Sequence, residues 1–193
     1  MAILKLHATR LGDVSQIVEL LEAVENAYDN LYAFDLIVEE AKTRYEPMRL
    51  FYAGSRRRTV RRIAKPHQVV LPEDRLVLHS VEIHSPGFWE FLGTINPLEV
   101  LRKYLNDRHE REKDRDYRNS AEAERLRLEN EKLTTDVVKD KLELLRAIGL
   151  PEDRIRDAIS RHLLEPLGRI DKVQDAELVV SADVTDRPIR VRV

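Results

Sequence analysis

The stretch NDRHEREKDRDYRNSAEAERLRLENEKL, Asn106 to Leu133, has 17 Asp, Glu, Lys or Arg among its 28 residues and neither Gly nor Pro. Oppositely charged residues stand four apart in it: Asp107 with Arg111, Arg108 with Glu112, Asp114 with Arg118. Each such pair adds a few tenths of a kcal/mol to an exposed helix. Ten of the twelve residues from Asp107 to Arg118 are charged, and Tyr117 is the only large apolar group there. A helix so polar on all sides has no stripe to dock on a core, and it reads as a spacer between bodies.

The helix signals run outward from this stretch in both directions. Upstream, Asn96 is an N-cap candidate and Pro97 suits the first helical position, where a missing N–H costs nothing. Glu99 has the spacing of a capping box, and Ile95 with Val100 that of a hydrophobic staple. Downstream, no stop occurs before Gly149-Leu150-Pro151, where Gly149 fits the left-handed position that ends a helix. A helix over about 97–148 follows, with Asn119-Ser120 the place for a break. From Leu126 an apolar seam returns: Leu126, Leu133, Val137, Leu144 and Ile148, with Asn130 inside it and Glu and Lys beside it. That pattern suits a short coiled coil through which the chain self-associates. It suits better still packing against the next helix, 151–173, because a three-residue loop forces the two antiparallel, and both together would give a four-helix contact between two chains. Pro166 should kink that second helix or start a new turn.

The rest of the chain supplies a small α/β body. In Ile3–Thr9, Leu4 and Leu6 alternate with Lys5 and His7, the period of a half-buried strand. Asp13, with Gln16 three residues on, forms a capping box. From there Ile17, Leu20, Leu21, Val24, Ala27, Tyr28, Leu31, Phe34 and Val38 make one wide stripe, predicting an amphipathic helix over 14–44 that Glu46-Pro47 ends. Arg75–His84 alternates as a strand, with Leu76, Leu78, Ser80 and Glu82 on one face. Phe88, Trp89, Phe91 and Leu92 form an aromatic corner expected in the core, and Leu178–Ser181 and Ile189–Val193 suggest a C-terminal hairpin. LKLHATRL at Leu4 and LVLHSVEI at Leu76 share a pattern that would fit a duplicated strand–helix unit.

The predicted fold class is α+β and mainly helical. A small β-sheet is packed by a long amphipathic helix, with the long charged helix and its helical hairpin partner projecting. The expected division is 1–46 strand–helix unit, 47–74 basic loop or linker, 75–95 strand and aromatic corner, 96–173 helical arm and 174–193 C-terminal hairpin. Together these make one domain plus an arm.

Composition narrows the function classes. Charged residues are 35% and apolar residues 42%, with a net charge of −2, so the overall charge names no partner. No cysteine is present, which removes disulfides, thiolate metal sites and cysteine nucleophiles. No run approaches the roughly 18 apolar residues of a membrane span, and the first residues do not look like a signal peptide. A soluble, cytoplasmic protein is the expectation.

His109-Glu110 opens like a zinc-binding H-E-x-x-H, but Lys113 stands where the second His belongs. His79 and His84 read as strand histidines on opposite faces. The six glycines build neither phosphate-cradling loop nor a nucleophile elbow. No catalytic residue, metal or cofactor is therefore expected. One cluster is sharp: Arg56, Arg57, Arg58, Arg61, Arg62 and Lys65 place six cations in the eleven residues Ser55–Lys65, with no acid among them. Guanidinium forks match phosphate oxygens. The cluster could hold nucleic acid or an anionic lipid surface, or lie as a solvated loop neutralised by acids of the 14–44 helix. The readings are, first, a non-enzymatic scaffold or adaptor that forms a homo-oligomer and holds a protein partner. Second is a polyanion binder using 55–65, and third an enzyme with a site formed between subunits.

Overall fold

The computed structural model describes residues 1–8, 13–45, 69–82, 86–115, 136, 138–175 and 178–186. Its elements in order are β1 (Ala2–Ala8), α1 (Val14–Tyr45), a 3-10 turn (Pro72–Asp74), β2 (Val77–Glu82), β3 (Gly87–Gly93) and α2 (Ile95–Arg115). There follow α3 (Lys139–Ala147), α4 (Glu152–Ile159), a π turn (Ser160–Leu164), α5 (Glu165–Asp175) and β4 (Ser181–Asp186). The strands form one antiparallel sheet in the order β2-β3-β1-β4. Two strand–helix–strand units, β1-α1-β2 and β3-α2-β4, are thus interleaved so that each has a strand of the other between its own. This is the split β-α-β arrangement seen in ferredoxin-like folds. Helices α3 to α5 are inserted between α2 and β4. The predicted α+β class, mainly helical with a small sheet, is what the chain adopts. The repeat is not the one suggested by the echo of Leu4 and Leu76: topology makes β3, not β2, the counterpart of β1.

Local chemistry explains where most elements start and stop. Asp13 Oδ1 accepts the Gln16 N–H at 2.9 Å, and Gln16 Oε1 accepts the Asp13 N–H at 3.1 Å. The reciprocal capping box read from the sequence therefore opens α1. Its stripe is buried at Leu20, Val24, Ala27, Tyr28, Leu31, Phe34 and Val38. Gly149 has φ +80°, with its N–H on Arg146 O (2.9 Å) and the Leu150 N–H on Leu145 O (3.1 Å). Together they complete a Schellman end to α3. The π turn answers to Pro166, which has no N–H for the His162 carbonyl and whose ring would clash with it. The Glu165 N–H instead reaches Ser160 O, five residues back, and the helix runs on without stopping.

Four expectations are corrected. The helix after the aromatic cluster begins at Ile95, with the Leu98 N–H on Thr94 O, so Asn96 is not its cap. Pro97 sits inside the first turn, where the N–H it lacks would be unpaired in any case. Glu99 binds Arg102 at 2.8 Å instead of closing a capping box. Second, Phe88 to Leu92 is a central strand, not a corner; Phe91 and Trp89 face the core while Phe88 and Leu92 face away. Third, β2 has an irregularity between Leu78 and Ser80. The extra residue reverses the alternation, so Val77, Ser80 and Glu82 share a face and Leu78 lies on the other. Fourth, β4 starts at Ser181, with Leu178 and Val179 buried before it, and pairs with β1. Ile189–Val193 lies outside the described residues.

The charged helix docks on the body further along than its composition implied. The Asn106 amide donates to Ala182 O and accepts the Ala182 N–H, each at 2.8 Å, so it covers part of the β4 edge. Arg108 is 4% exposed and ion-paired to Asp171 (3.0 Å) and Asp175 (2.6 Å) of α5. The Tyr104 hydroxyl donates to Asp171 at 2.6 Å, and the Gln174 amide donates to Leu105 O at 2.9 Å. Helix α5 therefore packs along α1 and is tied to α2 through these side-chain bonds. Residues 116–135 lie outside the described residues, but the expected single helix over 97–148 is interrupted: Val138, at φ −115° and ψ 18°, leaves the helical region, and α3 starts anew at Lys139.

Gly93 is fixed by packing. A Cβ there would sit 2.8 Å from Tyr28 Cε2, and the Tyr28 hydroxyl is held by donating to Asp74 O (2.6 Å) and accepting the Thr94 N–H (2.9 Å). Tyr32 donates to the Asp74 carboxylate at 2.7 Å. Burial, then that bond, push the Tyr32 hydroxyl up to about 12. The 3-10 turn is thereby tied to α1 and to the start of α2.

Candidate interaction surface

The helices cover one face of the sheet. On that face Leu4, Leu6, Phe91 and Ala182 are buried, with Leu4 opposite Phe91 and Leu6 opposite Ala182. On the other face no described residue is buried. Strand register arranges that face in three rows. Thr185, Ile3, Leu92 and Val77 run across the first; Asp183, Lys5, Glu90 and Ser80 across the second; Ser181, His7, Phe88 and Glu82 across the third.

The charges of this face are partly neutralised in place. Lys5 Nζ lies 3.3 Å from Glu90 and 3.5 Å from the centre of the Phe88 ring, a cation–π contact. His7 Nε2 lies 2.8 Å from Asp183. Desolvating the face therefore costs less than it would with these polar groups unpartnered. Of the exposed large apolar residues, Met1, Leu71, Val77, Leu78 and Ile95 belong to segments at the end of the sheet where β1 begins. Ala2 opposite Gly93, and Leu92 opposite Val77, bring those segments together.

Two further polar features lie elsewhere. A cleft of about 560 Å³ runs between α1, the segment before β2, and α5; Glu22, Glu25, Asp29, Arg75 and Arg169 are among its lining residues. The second feature is His162, 3% exposed, whose Nδ1 lies 3.2 Å from Asn30 Oδ1 across the α1 interface. The Asn30 amide nitrogen donates to Asn26 O, so its oxygen faces the imidazole and His162 Nδ1 is the donor. Burial holds the imidazole below its ordinary value, with Arg161 acting the same way and Asp157 against it. The unfolded chain thus binds a proton that the folded chain resists. Stability through this group is full above about pH 6.5, the unfolded value, and is lost as pH falls toward the folded one. The carboxyls of Asp35 and Asp171 are raised, burial being the first cause for both, so their protonation favours the folded state. His162→Gln keeps a donor toward Asn30 but does not titrate. Denaturant unfolding at about pH 7 and about pH 5 should show a smaller acid loss in this variant than in the parent. Equal losses would remove His162 from the account.

The sites read from the sequence are distributed as follows. Arg56, Arg57, Arg58, Arg61, Arg62 and Lys65 lie outside the described residues. So do Leu126, Leu133 and Val137 of the seam. Leu144 and Ile148 are half-buried against the protein's own core, while Leu142 and Leu145 are the buried face of α3. Among the described residues no three His, Asp or Glu side chains gather as a metal site, and no helix is long and apolar enough to cross a membrane. The open sheet face escapes sequence reading. Alternation in β1 marks Lys5 and His7 as facing away from the core, but nothing local tells which strands flank them.

No protein-family model matches the chain, and no curated protein or solved structure is significantly similar to it.

Proposed function

We propose that the protein is a non-enzymatic interaction module, a scaffold or adaptor, that assembles with copies of itself. The observation that carries this reading is the open face of the four-stranded sheet. Among the described residues helices pack on one side of the sheet only, and a one-layer sheet so covered presents its second face to water or to another molecule. Here that face mixes Ile3, Phe88 and Leu92 with charges already paired within the chain. The seam expected from sequence gives less support, since Leu144 and Ile148 are engaged by the protein's own core. Size exclusion with light scattering should find a dimer or larger species at tens of micromolar. A monomer at that concentration overturns the reading.

The second reading is a polyanion binder, favoured by the six cations of Ser55–Lys65. Replacing Arg57, Arg58, Arg61 and Arg62 together with Ser should then abolish retention of DNA, RNA or acidic vesicles, and parent binding should weaken steeply as salt rises. Binding unchanged by the substitutions ends that idea.

A further inference from the structure

We infer that the open sheet face pairs with the same face of a second copy across a two-fold axis that lies in the interface, parallel to the strands and midway between β1 and β3. The inference rests on the self-association reading and gives it a surface and a register.

A two-fold axis makes an interface of one patch with itself, so the patch must be complementary to its own rotated image. The register of this sheet can be tested on that condition. An axis along the strands between the two central ones places β1 over β3 of the second copy and β4 over β2. The middle row Asp183, Lys5, Glu90, Ser80 then meets Ser80, Glu90, Lys5, Asp183. Each Lys5 faces a Glu90, so the two ion pairs already present merge into one quartet of alternating sign. In the first row Ile3 faces Leu92 and Thr185 faces Val77. In the third, His7 faces the Phe88 ring and Ser181 faces Glu82. No row brings like charges into opposition.

The alternative two-fold axis in the same plane, perpendicular to the strands through the middle row, sets Asp183 on Asp183, Lys5 on Lys5 and Glu90 on Glu90. Like charges across an interface cost several kcal/mol, so complementarity selects the first axis. The resulting packing is that of two aligned sheets about 10 Å apart.

Size sets the expected strength. Four strands about 4.8 Å apart, each about six residues of 3.4 Å, give a footprint of roughly 400 Å² before side-chain relief is counted. A standard interface takes about 800 Å² of accessible surface from each partner. The dimer therefore belongs to the weaker class and is to be examined at tens of micromolar.

The register predicts a charge-swap result that a merely sticky face would not give. In a homodimer of the Lys5→Glu variant, both contacts between positions 5 and 90 set one carboxylate against another. In a homodimer of the Glu90→Lys variant, both set one ammonium group against another. Each variant alone should dimerise at least about tenfold more weakly than the parent. In an equimolar mixture, a dimer of one copy of each variant again has an acid opposite a base at both contacts. The mixture should recover dimer close to the parental level. Analytical ultracentrifugation of the three chains and of the mixture reads this directly, and recovery in the mixture also establishes that both variants fold. A parent dimer unaffected by either substitution overturns the sheet-face interface while leaving self-association standing. Weakening in both variants without recovery in the mixture overturns the two-fold register. A monomeric parent removes the proposed function itself.

Discussion

Arg108→Ala should lower stability by about 3–5 kcal/mol, the usual cost of removing one partner from a buried ion pair. At about 2–4 °C per kcal/mol for a chain of this size, the melting temperature should fall by roughly 6–20 °C. The guanidinium lies within 3.0 Å of Asp171 and 2.6 Å of Asp175. It is the cation that compensates Asp171, whose carboxyl burial already raises against the pull of the Tyr104 hydroxyl and Arg108. Asp175 is half exposed, so water screens its share, and most of the loss should come through Asp171. The loss has a pH signature. Without Arg108, Asp171 is a buried carboxylate relieved by taking up a proton. The gap between parent and variant should therefore narrow from about pH 8 to about pH 5. A variant that melts with the parent, or a gap that widens on acidification, would show that α2 and α5 are joined by something other than this pair.

Leu145→Ala should cost about 2–5 kcal/mol, and Leu144→Ala should cost clearly less. Leu145 is fully buried, whereas Leu144 is only partly so. The heptad-like spacing of Leu126, Leu133, Val137, Leu144 and Ile148 marks Leu144 as the important residue of this pair. The fold makes its neighbour so instead, because α3 meets the body through Leu142 and Leu145, with Lys141 on the same helix bound to Asp35 of α1. Denaturant unfolding of the two variants decides between these faces. A larger loss at Leu144 would restore the seam to a structural role.

Much of the architecture is legible locally. The capping box at Asp13 and Gln16, the apolar stripe of α1 and the left-handed Gly149 each depend on residues within a few positions of one another. Short-range hydrogen bonding and helical period suffice to find such features. Local reading fails where a distant partner decides. Phe88 to Leu92 becomes a strand because β1 and β2 pair with it on both sides. Arg108 stands in a run of charges that reads as solvated, yet two carboxylates of α5 hold it in a buried position. The irregularity after Leu78 reverses the faces of β2, and no residue type there announces an extra residue in a ladder.

Sequence alone determined the mixed α+β class, the long helix after Asp13, the end of α3 and the lack of cysteine chemistry. Tertiary structure alone decided the strand order β2-β3-β1-β4, the docking of α5 along α1 with its ion pairs to α2, and which side chains stand together on the open face. The reason is one of range. Dihedral preferences, caps and period act between neighbours in the chain, whereas Lys5 meets Glu90 and His7 meets Asp183 only after the sheet has closed around β1.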